Sequence, residues 1–225
     1  MKQIVAIDGP SGAGKSTVAR QLARRLGYVH LDTGAMYRAV ALAAVRARIA
    51  LNDNSSLDGL CQNLHLGLEN TPGGIKVTLN GEDVTLLIRT PEMSSASSQV
   101  SSVSEVRQHM VRLQREIGGG GGVVAEGRDM GTVVFPHTMA KFYLDATLEE
   151  RGERRWLELR EGGLDESLEN VLDDIRTRDQ NDSNREDSPL RRADDAQAID
   201  TTSKTPEEVV EEIYALVKKL ETADG

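Results

Sequence analysis

Ten residues near the N-terminus, DGPSGAGKST at positions 8–17, constrain this chain more than any other stretch. They hold the spacing G-x-x-x-x-G-K-S in Gly9, Gly14, Lys15 and Ser16. An apolar run, Ile4-Val5-Ala6-Ile7, comes before them, and a helical pattern, Val18-Ala19…Leu22-Ala23…Leu26, comes after. The glycines let backbone N–H groups turn inward around an oxyanion, which a Cβ would obstruct. A helix that starts there points its positive end at the same place. Lys15 can reach the terminal phosphates of a nucleotide, and the Ser16 hydroxyl can ligate Mg²⁺. The stretch therefore predicts a site for a nucleoside triphosphate.

Five short apolar runs read as buried strands, at 3–7, 29–31, 123–125, 141–144 and 198–199. Helical patterns separate them, so an α/β fold with a parallel sheet covered on both faces is expected. An acid follows each run: Asp8, Asp32, Glu126, Asp145 and Asp200. Ligands of open α/β sheets sit at the carboxyl ends of the strands, so these acids are expected to gather around the triphosphate site.

Residues 60–103 break the alternation. Leu64-His65-Leu66-Gly67-Leu68 and Ile75-Lys76-Val77-Thr78-Leu79 lead into Asn80-Gly81, a strong hairpin signal. A small antiparallel β insertion is expected there, and the serine-rich run 94–98 reads as a linker. A helix is expected from about 104 to 117, with Val103, Val106, Met110, Leu113 and Ile117 on its apolar face. Five consecutive glycines, 118–122, are expected to end it and form a mobile loop. At the C-terminus Thr205-Pro206-Glu207-Glu208 forms a capping box before an apolar helix face running from Val209 to Leu220.

A phosphate loop alone fits kinases, GTPase switches and mechanical ATPases. The guanine-reading N-K-x-D motif does not occur, which weighs against a switch. What the chain adds is a second set of anion-binding residues. Arg38 follows the second strand in DTGAMYR, and Arg128 follows the third in EGRDMGT. An arginine fork grips phosphate bidentately, as lysine cannot. Two of them opposite a phosphate loop suggest a phosphorylated acceptor.

Together DGPSGAGKST, LDTGAMYR, IRTPE…ASSQVS…VR, EGRDMGTVVFP and RTRDQNDSNR with SPL after it resemble the bacterial cytidylate (CMP) kinases, a family of P-loop nucleoside monophosphate kinases. The likeness spans essentially the whole chain. It implies one kinase domain over 1–225 with strand order 2-3-1-4-5, residues 60–103 as a monophosphate-binding insertion and about 149–165 as a helical lid. Gly9, Pro10, Ser11, Gly12, Ala13, Gly14, Lys15, Ser16 and Thr17 would hold ATP, with Mg²⁺ on Ser16. Arg38, Arg128 and Arg185 would take the CMP phosphate, and Arg178 and Asp182 the ribose hydroxyls. Ser98, Arg107 and Asp129 would read the cytosine, whose N4 amino group suits a carboxylate and a hydroxyl acceptor. Thr33, where many relatives carry serine, keeps the hydroxyl of the acceptor site. Lys15, Arg128 and Arg185, with Arg154 and Arg155 swinging in from the lid, would serve catalysis. Another small-metabolite kinase and a regulatory nucleotide-binding module remain alternatives at this point.

A net charge of −9 over 225 residues argues against a general nucleic-acid or membrane-surface binder. Cys61 stands alone, so no internal disulfide can form and a reducing compartment fits. No apolar run approaches 18 residues. A cytoplasmic monomer that binds ATP, CMP and dCMP, without nucleic acid or membrane partners, is the expectation.

Overall fold

The computed structural model describes residues 2–71 and 74–223. Its larger sheet contains β1 (Ile4–Asp8), β2 (Val29–Asp32), β6 (Val123–Gly127), β7 (Ala140–Asp145) and β8 (Gln197–Asp200). All pairings are parallel, in the order β2-β6-β1-β7-β8. By rank this is 2-3-1-4-5, as the resemblance implies. Strand alternation splits the core into two layers. Val5 and Ile7 face α1 (Lys15–Leu26) and α8 (Pro206–Ala223), packing with Val18, Leu22, Val209 and Ile213. Ala6 and Leu31 face the other way, toward α2 (Thr33–Arg46), α3 (Asn54–Gln62) and α5 (Ser104–Gly118).

Residues 60–103 carry the expected small antiparallel sheet and, after it, a helix. Only β3 (Leu66–Thr71), β4 (Gly74–Leu79) and β5 (Glu82–Asp83) are strands, paired antiparallel. Asn80 and Gly81, both with positive φ, make the tight turn between β4 and β5. Ile75, Val77 and Leu79 alternate inward onto Ala35, Ala39 and Ala43 of α2. The serine run is not a linker but the body of α4 (Pro91–Val100). Thr90 caps it by accepting from the Met93 N–H at 3.2 Å, and Pro91 opens its first turn. Met93, Ala96 and Val100 then supply a buried face that serine-rich composition conceals.

The glycine run is pinned rather than mobile. Gly122 donates to the Gln3 carbonyl at 3.0 Å and accepts from the Val29 N–H at 2.8 Å. Gly121 has φ +68°, and a Cβ there would lie 2.4 Å from the Lys2 carbonyl oxygen. Glycine here allows the chain to pass close to β1 and enter β6. Between β7 and β8 run α6 (Leu148–Glu161) and α7 (Leu168–Asn184). They touch closely at Gly152, where a Cβ would come 2.3 Å from Leu172.

Candidate active site

The phosphate loop leaves β1 and enters α1 through three glycines of positive φ, Gly9, Gly12 and Gly14. At Gly9 a Cβ would lie 2.0 Å from the Leu144 carbonyl oxygen of β7, so only glycine lets the loop pass the neighbouring strand. Gly14 caps α1 with its backbone alone, and no side chain takes the first-turn N–H groups. Those groups suit an anion. The Lys15 ammonium, buried beneath the loop, donates to the Pro10 carbonyl at 2.6 Å. Burial, with Arg128 beside it, pulls Lys15 down to about 7, against the pull of Glu126, Asp182 and Asp179.

Opposite the loop lies a cleft of about 630 Å³. Ser11 through Thr17, Thr33, Arg38, Ser98, Arg107, Arg128, Asp129, Arg154, Arg155, Arg178, Asp182 and Arg185 all line it. Gly9 and Pro10 are buried outside this lining. Residues from both ends of the chain and from the insertion thus meet in one space.

Much of the remaining lining is built from charge pairs. Arg107 on α5 and Asp129 just past β6 are both buried and ion-paired, and Arg107 also donates to the Ser101 carbonyl at 3.2 Å. Arg128 donates through Nε to Asp182 at 2.7 Å and through Nη2 to the Ser11 hydroxyl at 3.0 Å. Burial alone would raise the Asp182 pKa, but Arg128 and Arg185 hold it below the ordinary value. Arg185 lies 3.5 Å from Asp182, while its Nε and Nη2 have no protein partner. Arg38 Nε and Arg107 Nε are likewise buried and unpartnered. An unmet buried N–H costs about 1–3 kcal/mol, so such a group of donors marks a place built for an anion.

Of the five strand-end acids, only Asp32 and Glu126 line this cleft. The other three are corrections to the sequence expectation. Asp8 accepts from the Met130 and Gly131 N–H groups at 2.7 and 2.8 Å, tying the turn after β6 to β1. Burial pushes it up to about 6 despite those donors. Asp145 accepts from the Ala146 N–H and Asp200 from the Thr202 N–H, both as turn residues. Asp32 itself caps α2 through the Ala35 N–H at 2.8 Å, with Arg38 3.6 Å away.

Several cleft residues had no assigned role in the sequence. Glu126 accepts from the Ser16 hydroxyl at 2.7 Å and lies 2.9 Å from His30 Nε2. A hydroxyl backed by a carboxylate is the oxygen donor set that a hard cation takes. No group of three or more His, Cys, Asp or Glu side chains among the described residues could hold a metal by itself. Ser101 backs Arg107, and the Tyr37 ring lies 5.6 Å beneath the Arg107 guanidinium. Outside the cleft lining, Arg151 of α6 and Asp179 of α7 bind Ser11. The strand-end position of Glu126 was a usable signal, but nothing in the sequence pairs position 151 with 179.

Arg154 and Arg155 take two different places. Arg154 donates to Thr201 through both the carbonyl (2.6 Å) and the hydroxyl (3.1 Å), and sits beside Gly14. Arg155 pairs with Glu158 one turn along α6 at 2.7 Å.

The profile of the Cytidylate kinase family matches residues 5–219. The cytidylate kinase of Geobacter sulfurreducens is 53% identical over 220 residues, covering 98% of this chain and 94% of that one. That of Caldicellulosiruptor bescii is 46% identical over 221 residues, covering 98% of each. Among solved structures, an uncharacterized protein from Eubacterium ventriosum aligns with a TM-score of 0.52 at 10% identity, covering 97% of this chain and 99% of that one, a likeness of fold alone. With its sheet order, its phosphate loop and near full-length relatives in agreement, this chain belongs to the cytidylate kinase family.

Proposed function

We propose that the chain transfers the γ-phosphoryl group of ATP to CMP or dCMP, giving ADP and CDP or dCDP, with the walls of the cleft dividing the two nucleotides. The observation that carries the acceptor half is the set of buried, unpartnered guanidinium donors on Arg38 and Arg185, which line the same cleft as the phosphate loop. Arg38, Arg128 and Arg185 take the CMP phosphate. Arg178 and Asp182 take the ribose hydroxyls. Ser98, Arg107 and Asp129 read the cytosine edge, and Thr33 fixes the entry to α2 by donating to the Glu126 carbonyl at 2.7 Å.

No protein nucleophile is required. An oxygen of the CMP phosphate attacks the γ-phosphorus in line, and the bond to the β–γ bridging oxygen breaks as ADP leaves. The backbone of residues 9–17 holds the donor, and Lys15 offsets its charge. Ser16, with Glu126 behind it, would hold Mg²⁺, which supplies further charge neutralisation at the phosphates. Arg154 and Arg155, within a lid of about 149–165, shield the transferring group from water.

Specificity rests on Asp129. Cytosine presents an amino donor where uracil presents an acceptor, and a buried mismatch of that kind costs about 1–3 kcal/mol. An assay of ADP formation with CMP, dCMP, UMP, AMP and shikimate tests the reading. CMP or dCMP is the expected acceptor, and a preference for UMP, AMP or shikimate would overturn it.

The acidic charge and the single buried thiol, pushed up to about 11 by burial, support a cytoplasmic monomer that binds no nucleic acid. No helix among the described residues is long and apolar enough to cross a membrane.

A further inference from the structure

Ser11 is held by three elements at once. Its N–H donates to Asp179 Oδ1 on α7 at 3.0 Å, and its carbonyl accepts from Arg151 Nη1 on α6 at 2.9 Å. Its hydroxyl accepts from Arg128 Nη2, the arginine past β6, at 3.0 Å. Arg151 and Asp179 are ion-paired to each other, and Arg151 Nε donates to the Ala146 carbonyl at 3.1 Å. One residue along, Gly12 lies so close to α6 that a Cβ would come 2.8 Å from the Arg151 carbonyl oxygen. On α7 the same helix face carries Asp179 to the phosphate loop and, one turn later, Asp182 to Arg128.

We propose that Arg151 and Asp179 form a clamp on Ser11 that couples the donor and acceptor sites, so that filling either nucleotide pocket tightens the other. The proposal rests on the two-nucleotide reading above. Neither residue faces a reacting atom, since both bond to the loop backbone; they are positioning residues. The chemistry of the clamp sets its direction. Arg151 and Asp179 grip the loop at Ser11 in a conformation that leaves the first-turn N–H groups after Gly14 without a side-chain cap, open to a phosphate. That grip holds α6 and α7 against the loop, which presents Asp182 and the Ser11 hydroxyl to Arg128. An acceptor phosphate on Arg128 favours the same arrangement from the other side. The first nucleotide then meets the ordering cost that the second avoids. Linkage requires the effect to be equal in both directions.

The test measures CMP affinity by calorimetry with and without a nonhydrolysable ATP analogue, and the analogue's affinity with and without CMP. In the wild-type chain the analogue is expected to tighten CMP by about tenfold, with the same factor in the reverse titration. Asp179→Asn keeps the shape and removes the charge, and Arg151→Lys keeps the charge but loses the fork. Each is expected to bring the coupling factor to about one or two and to raise the KM for CMP measured at saturating ATP. The double variant is expected to match the singles, because the pair acts as a unit. Coupling that is absent in the wild type, or that survives in both variants, overturns the clamp. Wild-type protein that forms no ADP with CMP overturns instead the reading on which the clamp rests.

Discussion

The two walls of the cleft are made in different ways. The proposed donor wall is the phosphate loop, residues 9–17, of which 11–17 line the cleft; its shape comes from backbone geometry: three left-handed glycines and a helix start without a side-chain cap. The acceptor wall draws on α2, α4, α5, the turn after β6, and α7, and its shape comes from paired side-chain charges. A backbone site is written in one stretch of sequence and tolerates nearly any fold that supplies a strand and a helix. A side-chain site exists only when distant elements bring its charges together. On the reading proposed above, the donor wall fixes what reacts, and the acceptor wall fixes with whom.

The contrast can be broken first at Lys15. Lys15→Met is expected to lower kcat by about a thousandfold, as loss of a transition-state charge partner does, while CMP binding measured without ATP stays within about twofold. A comparable loss of CMP binding would show that the walls are not separable. Next comes Asp129→Asn, which keeps the shape but turns an acceptor into a mixed donor. CMP kcat/KM is expected to fall roughly a hundredfold with ATP KM nearly unchanged, and discrimination against UMP to narrow. A third measurement uses pH. Free Lys15 sits at about 7, and phosphate oxygens would hold the bound lysine charged. Below that pH the lysine is protonated in both states; above it, binding must take up a proton. ATP affinity is thus expected to fall about tenfold per unit as pH rises from 7. Calorimetry in buffers of different ionisation enthalpy at pH 8 should report close to one proton taken up, and zero uptake would refute the assignment. The smallest effect is expected at Ser98→Ala, about fivefold on CMP kcat/KM for one lost hydrogen bond.

Legibility in the sequence followed the same division. Local rules wrote the phosphate loop, the Asn80-Gly81 turn, the Thr205 capping box and the alternation of Ile75, Val77 and Leu79, and each stands in the structure. Composition misled where tertiary contacts decide. Serines 94, 95, 97 and 98 read as linker, yet Met93, Ala96 and Val100 bury a helix face against α2. Glycines 118–122 read as mobile, yet close approach to Lys2 and Gln3 is what excludes side chains from the run's end. The strand-end acids split for the same reason. Asp8, Asp145 and Asp200 satisfy backbone donors away from the cleft, whereas Glu126 and Asp32 line it, Asp32 while also capping α2.

By itself the sequence determined the family, the α/β class and the phosphate loop, because these depend on neighbours within a few positions or on motifs shared with a family. Only the tertiary structure decided that Arg107 meets Asp129, that Arg128 lies between Ser11 and Asp182, and that Arg151 and Asp179 grip the phosphate loop. The reason is physical. A buried charge is tolerable only beside its partner, and where that partner stands is set by how helices and strands pack, not by spacing along the chain.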